Sequence, residues 1–205
     1  MAASTLVLAS RSPRRAELLR VLGVRFRVVD VAVDETQQDD EDPRHYVIRL
    51  ARTKAAAGRA CTGGETVLAA DTSVVLDLQI LGKPRDPADA ANMLRRLSGC
   101  WHEVFTGVAL AGETEETLCV ATRVRFRPLT AIDIERYCAS GEPFDKAGGY
   151  GIQGLGGAFV DRIEGSYSNV VGLPLSETVY LLDRARIRHH LSPGRLIKPP
   201  ANSMR

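Results

Sequence analysis

The residues Leu8-Ala-Ser-Arg-Ser-Pro-Arg-Arg15 gather three arginines where an apolar, strand-like run gives way to a helical pattern. Ser12 suits a helix N-cap, and Pro13 suits the first helical position, where a missing N–H costs nothing. Arg14 and Arg15 then fall in the first turn, where the positive end of the helix dipole disfavours cations unless an anion compensates them. The chemistry this suggests is a socket for a polyanion; a solvated basic turn is the alternative. Asp71 follows the apolar run Val67-Leu68-Ala69-Ala70 and precedes two hydroxyl residues. From there a carboxylate could hold a metal or orient water at a sheet edge, or merely turn the chain. Asp34-Glu35 follows the second strand pattern. One of these carboxylates together with Asp71 would bind Mg²⁺ or Mn²⁺, waters and substrate phosphates filling the other positions, unless the pair is an exposed acidic loop.

Two lysines extend the set. Lys83 stands in Leu81-Gly82-Lys83-Pro84, a loop framed by glycine and proline, and Lys54 lies on a helical segment among the small residues Ala51, Ala55 and Ala56. Each could contact phosphate as a point charge or be an ordinary solvated amine. Ser98-Gly99-Cys100-Trp101-His102 has the residue types of a nucleophilic site but neither metal-helix spacing nor a nucleophile-elbow context. No Walker motif occurs either, so phosphate handling must be of another design.

The elements that must position these groups follow from the local pattern. Residues 5–9 read as a strand, and Pro13 to Leu22 as a helix stopped by Gly23. A second strand covers 26–31. Asp42-Pro43 and Asp86-Pro87 repeat the cap-then-proline signal, for helices running to about Arg59 and to Gly99. Residues 66–78 form a β-type run that Asp71-Thr72-Ser73 should interrupt, with a turn near Asp77. Residues 102–111 and 118–127 read as an antiparallel pair joined by 112–117. Thr130 and Asp133 occupy capping-box positions before a helix that ends ahead of Gly141. From 141 to 172 glycine is frequent but interleaved with packing residues, and Pro174 opens a last helix reaching about Arg186. The mixture predicts an α/β fold with a long mixed sheet. A single domain over 1–188 is expected, with neither repeat nor linker, and a basic tail over 189–205.

Composition narrows the partners. Lys plus Arg number 27 against 25 Asp plus Glu, and aromatic residues are 5%, so a basic groove with stacking platforms for nucleic acid is disfavoured. Four scattered cysteines without a Cys-x-x-Cys pair argue against a zinc knuckle and suit a reduced cytoplasm. No apolar run of roughly twenty residues is present, so neither a membrane span nor a membrane partner is expected.

Taken in order, the segments from Leu6 to Leu182 resemble the Maf family of nucleotide pyrophosphatases. The motifs carrying the resemblance are the arginine turn, Asp34-Glu35, Tyr46 to Lys54, Ala70-Asp-Thr72, Leu81-Gly-Lys-Pro84, Leu97-Ser-Gly99, Gly141-Glu-Pro143, Asp145-Lys-Ala-Gly148, Tyr150-Gly-Ile-Gln-Gly154 and Val171-Gly-Leu-Pro174. The resemblance implies an inosine triphosphate pyrophosphatase-like fold, a twisted mixed sheet flanked by helices with two lobes around a cleft. It implies hydrolysis of a nucleoside triphosphate to the monophosphate and pyrophosphate, assisted by Mg²⁺, Mn²⁺ or Co²⁺. Asp71 and Glu35 match the family's acidic catalytic and metal-holding positions. Ser10, Arg14, Arg15, Lys54 and Lys83 match its phosphate positions, and Arg14, Thr72 and Gln153 those associated with substrate choice. Tyr-Gly-Ile-Gln-Gly resembles the branch acting on dTTP, UTP and modified pyrimidines, whereas a 7-methyl-GTP branch carries Glu at the Gln153 step. A glutamine amide offers a uracil edge both donor and acceptor. The family also implies a homodimer and a link to septum formation, for which a non-catalytic nucleotide sensor is the alternative.

Overall fold

Two proline-led helices are the crossovers that let the first three strands run parallel. The structure, a computed structural model, describes residues 6–192. Strand β1 (Leu6–Ala9) leads through α1 (Pro13–Val21) to β2 (Phe26–Val29), and α2 (Pro43–Cys61) leads to β3 (Val67–Leu76). β1 lies between β2 and β3, parallel to both. Asp42 caps α2 through the N–H of Arg44 at 2.8 Å, and Asp86 caps α3 (Pro87–Leu97) through that of Asp89, also at 2.8 Å. Ser12 departs from this device. It occupies the N-cap of α1 without a side-chain cap, and its own N–H donates to Ser10 Oγ at 3.2 Å.

The expected interruption at Asp71-Thr72-Ser73 does not occur. β3 runs unbroken and pairs antiparallel with β5 (Trp101–Ala111) from Val67↔Ala111 to Val75↔Glu103. Thr72 faces Thr106 in that register, their hydroxyls 2.9 Å apart, so the polar triplet continues the ladder and is polar because it borders a cleft. Asp71 therefore sits mid-strand rather than at a strand end. The turn at Asp77 is present: Asp77 and Leu78 both adopt left-handed φ, 50° and 64°, as a two-residue hairpin of the primed type demands. It returns the chain into β4 (Gln79–Leu81), a three-residue strand absent from the sequence reading. β6 (Glu115–Phe126) begins earlier than expected, tightening its connection from β5. Thr130 and Asp133 form the anticipated capping box on α4 (Ala131–Ala139). β7 (Val160–Glu164) completes the sheet at an edge, followed by α5 (Tyr167–Val171) and α6 (Leu175–Arg184).

The sheet order is β2-β1-β3-β5-β6-β7, with β4 attached to β3. β1 pairs β3 only at Val67 and Leu68, and β4 pairs it only from Val74 to Leu76. Between these pairings one side of β3 meets no strand, and the sheet is split there. On one face Leu68 and Ala70 pack with Leu19 of α1 and Leu181 and Leu182 of α6. Farther along the same face Val74 and Leu76 pack with Leu94, Leu97, Phe126 and Tyr137. These two cores are the two lobes, and Thr72 and Thr106 separate them. Asn169 of α5, fully buried, fills the seam: its Nδ2 donates to Val104 O at 2.9 Å and Thr122 Oγ1 at 3.0 Å. On the opposite face Ala51 and Ala55 of α2 lie on Val7, Ala9, Val67 and Ala69. Gly107, opposite Asp71 in the register, lets α2 approach the sheet: a Cβ there would overlap the Val47 carbonyl and lie 2.8 Å from Ile48 N.

His189, the first residue of the expected tail, is buried, with Nε2 2.8 Å from Asp183 Oδ1, and the His190 N–H donates to Leu22 O at 2.7 Å. His189 and His190 thus pack on the domain, while Leu191 is exposed; 193–205, the rest of the expected tail, lies outside the described residues. Among the described residues no helix is long and apolar enough to cross a membrane.

Candidate active site

The split in the sheet opens into a cleft of about 600 Å³. Ser10, Arg14, Arg15, Glu35, Lys54, Asp71, Thr72, Lys83 and Gln153 all line it, so one space collects the acidic, phosphate-contacting and substrate-choice residues to which the resemblance pointed. The turn from β1 into α1 forms one wall. The loop after β4 and the segment from Asp145 to Gln153 form the other.

At the floor, Lys54 Nζ lies 2.6 Å from Asp71 Oδ1 and 2.6 Å from Glu35 Oε1. Lys54 and Asp71 are each 12% exposed at the side chain, whereas Glu35 is 50% exposed. Burial alone would raise the Glu35 pKa, but the hydrogen bond and charge of Lys54, with Lys83 and Arg15 beyond, hold it below the ordinary value. Glu35 is brought here by α2. The Tyr46 hydroxyl donates to Glu35 O at 2.8 Å, and Arg49 donates to Thr36 O at 3.0 Å while pairing with Glu41 at 2.6 Å. Burial, with the charges of Asp71 and Glu35, pushes the Tyr46 phenol up to about 12, so it remains a donor. Asp34 turns away and accepts the Thr36 N–H at 2.9 Å.

Arg15 is built into the first wall. Its Nε donates to Gly172 O at 2.8 Å, one Nη to Thr72 Oγ1 at 2.9 Å and the other to Ser10 Oγ at 3.4 Å. Burial lowers its pKa and Asp71 raises it in return; a guanidinium nevertheless stays charged. Three of five N–H donors are thus committed to the protein, leaving two for a ligand. Arg14 points across the cleft to Asp145 Oδ2 at 3.5 Å. Arg11 leaves the floor altogether and pairs with Asp30 at the exposed rim, 3.3 Å away. Parallel pairing of Ala9 with Val29 puts those two chain ends side by side.

On the second wall Lys83 is exposed on its loop, which Gly148 ties down by donating its N–H to Gly82 O at 3.0 Å. Gln153 is exposed on a glycine loop. Ser98 and His102 serve the fold instead: Ser98 Oγ accepts the Leu129 N–H at 2.7 Å, and His102 Nε2 is 2.8 Å from the Tyr150 hydroxyl. Sequence reasoning missed the anchors Tyr46 and Arg49. Their signal was present, since Tyr46 and Lys54 stand two helical turns apart and so share a face.

Chemically the cleft pairs carboxylates around one cation and sets guanidinium donors beside them. Among the described residues no three His, Cys, Asp or Glu side chains cluster closely enough to cage a metal. Two hard carboxylates converging on one cation suit a divalent ion that completes its shell with water and phosphate.

Residues 5–185 match the family described as Maf-like protein. The chain is 58% identical over 180 residues to a dTTP/UTP pyrophosphatase of Myxococcus xanthus (strain DK1622), covering 88% of this chain and 92% of that protein. It is 56% identical over 181 residues to a dTTP/UTP pyrophosphatase of Escherichia coli O157:H7, covering 87% and 92%. In fold it is similar to a HAM1 protein from Coxiella burnetii, with a TM-score of 0.52 at 16% identity, covering 88% of this chain and 98% of that one.

Proposed function

The chain belongs to the Maf family, and from that premise we propose that it is a nucleoside triphosphate pyrophosphatase hydrolysing dTTP, UTP and modified pyrimidine analogues to the nucleoside monophosphate and pyrophosphate. The observation that carries this reading is Lys54 shared by Asp71 and Glu35 at 2.6 Å each, at the floor of a cleft with Arg14 and Arg15 on one wall and Gln153 on the other.

Substrate enters with its phosphates against the arginine wall. The two uncommitted Arg15 donors and the Arg14 guanidinium bind phosphate oxygens, and Arg14 gives up its long contact with Asp145 to do so. Lys83 approaches from the opposite loop, while the Gln153 amide reads the base by donating and accepting along a uracil edge. Asp71 Oδ1 is taken by Lys54, which leaves Oδ2 to orient a water towards the α-phosphorus and take its proton. The water oxygen bonds to the α-phosphorus as the bridging oxygen departs with pyrophosphate; the proton passes from Asp71 to solvent. Arg15, already fixed by Gly172, Thr72 and Ser10, stabilises charge on the leaving group without reorganising. A divalent cation such as Mg²⁺, Mn²⁺ or Co²⁺ held by Asp71 and Glu35 would add Lewis-acid polarisation and favour ionisation of water.

A pyrophosphate-release panel with dTTP, UTP, 5-methyl-UTP, CTP, GTP and 7-methyl-GTP, with Mg²⁺ and Mn²⁺, tests the proposal. Turnover of dTTP and UTP is expected, and Asp71→Asn should abolish it with the fold intact. Near-normal turnover in that variant overturns the assignment of Asp71, and preference for 7-methyl-GTP overturns that of Gln153.

A further inference from the structure

The residue expected to read the base sits on chain with little stiffness of its own, since Gly151-Ile-Gln-Gly-Leu-Gly-Gly157 has glycine at four of seven positions. Something outside the cleft must hold it. Gly151 donates its N–H to the Tyr137 hydroxyl at 3.1 Å, and that hydroxyl donates to Glu142 Oε1 at 2.9 Å. The same carboxylate accepts the Gly156 N–H on Oε1 at 3.1 Å and the Leu155 N–H on Oε2 at 2.8 Å. Ile152, Gln153 and Gly154 are therefore pinned on both sides by one carboxylate and the phenol it binds. The fit is close. A Cβ on Gly154 would overlap the Glu142 carboxylate, and one on Gly156 would lie 2.7 Å from the Tyr137 hydroxyl. Tyr137 is itself 3% exposed and packs edge-on against Phe159, ring centres 4.9 Å apart. Glu142 in turn is braced by Lys146, whose ammonium donates to Glu142 O at 2.8 Å. Neither Glu142 nor Tyr137 lines the cleft.

We infer that Glu142, acting with Tyr137, is a positioning residue for base selection: it presents the Gln153 amide at a fixed place in the cleft and touches no substrate. The inference rests on the proposed reading of the cleft. A carboxylate is the group this task needs, because it is acceptor-only and three donors converge on it. A glutamine there supplies one oxygen and sets an amide N–H₂ against one of those donors.

The test uses the full chain and compares kcat and KM for dTTP, GTP and ribose 5′-triphosphate, which carries the phosphates without a base. In Glu142→Gln the preference for dTTP over GTP should fall about tenfold, mostly through KM for dTTP, the loss of about one charge-assisted hydrogen bond. Turnover of ribose 5′-triphosphate should match the unaltered chain. In a Gln153→Ala background Glu142→Gln should cost no further selectivity, because the group it positions is already gone. Tyr137→Phe, which frees Gly151 but keeps both backbone bonds to Glu142, should fall between and carries the test if Glu142→Gln does not fold. Unchanged selectivity in Glu142→Gln, an additive loss on Gln153→Ala, or an equal fall on the base-free substrate would each overturn the inference. Absence of turnover of every nucleotide by the unaltered chain overturns the pyrophosphatase reading itself.

Discussion

Lys54→Met removes the cation shared by Asp71 and Glu35 while keeping most of the aliphatic stem that packs beneath it. The two arms of the bridge differ in weight. Lys54 and Asp71 are each 12% exposed at the side chain, and removing one partner of such a buried pair costs about 3–5 kcal/mol, since the remaining charge is left uncompensated. The Glu35 arm is half in water and adds at most about 1 kcal/mol. The expected loss is therefore about 3–6 kcal/mol in neutral, chelator-treated buffer, read by urea denaturation followed by circular dichroism. Acidification should narrow the difference. The Glu35 pKa is depressed in the fold, so its contribution is present above the unfolded value and is lost as pH falls through the folded one. Added Mg²⁺ should stabilise the variant more than the parent, in which the ammonium already occupies the place between the carboxylates. A variant within about 0.5 kcal/mol of the parent, the range of an ordinary surface substitution, would refute the argument.

Gly107→Ala would drive a methyl group into the Val47 carbonyl; because backbone rather than a flexible side chain must yield, a loss of at least about 1–3 kcal/mol is expected. The lifted helix should also draw Lys54 from Asp71 and depress turnover, and a thermally unchanged, fully active variant would contradict this. His102 is 2% exposed with its pKa lowered to about 4 by burial. The unfolded chain therefore takes up a proton first as pH falls, and about 3 kcal/mol of stability is lost between roughly pH 6.5 and 4. His102→Gln should flatten the stability profile across that interval, and an unaltered slope would place the acid sensitivity elsewhere.

Much of the frame was legible because short-range chemistry decides it. The Asp-Pro starts, the Thr130–Asp133 box and the turn at Asp77 each work within four residues. Misreadings arose where a distant partner supplied the reason. Asp71-Thr72-Ser73 looked like a break because its polarity serves a cleft that the sequence does not display, and the register with β5 keeps it extended. β4 has only three residues, and β7, Val-Asp-Arg-Ile-Glu, places two charged side chains side by side and so breaks the alternation, so neither carries a strong period of its own. The residue types of the site were visible, but their division of work was not. Arg15 spends most of its donors on Gly172, Thr72 and Ser10, and Glu142 acts on residues thirteen and fourteen positions away. Such roles depend on distances that only the folded chain defines.

The split along β3 makes the cleft a gauge. Ala70 belongs to the core behind the arginine wall and Val74 to the core behind the glycine loop, so four residues of extended chain, about 13 Å, separate the two lobes. That interval is set by covalent geometry and by the ladder to β5. Under the proposed reading, the base selected can therefore change through loop residues such as Gln153 while the length of the molecule admitted stays constant. A sheet divided in this way lets one strand act as a rigid rule between two independently variable jaws.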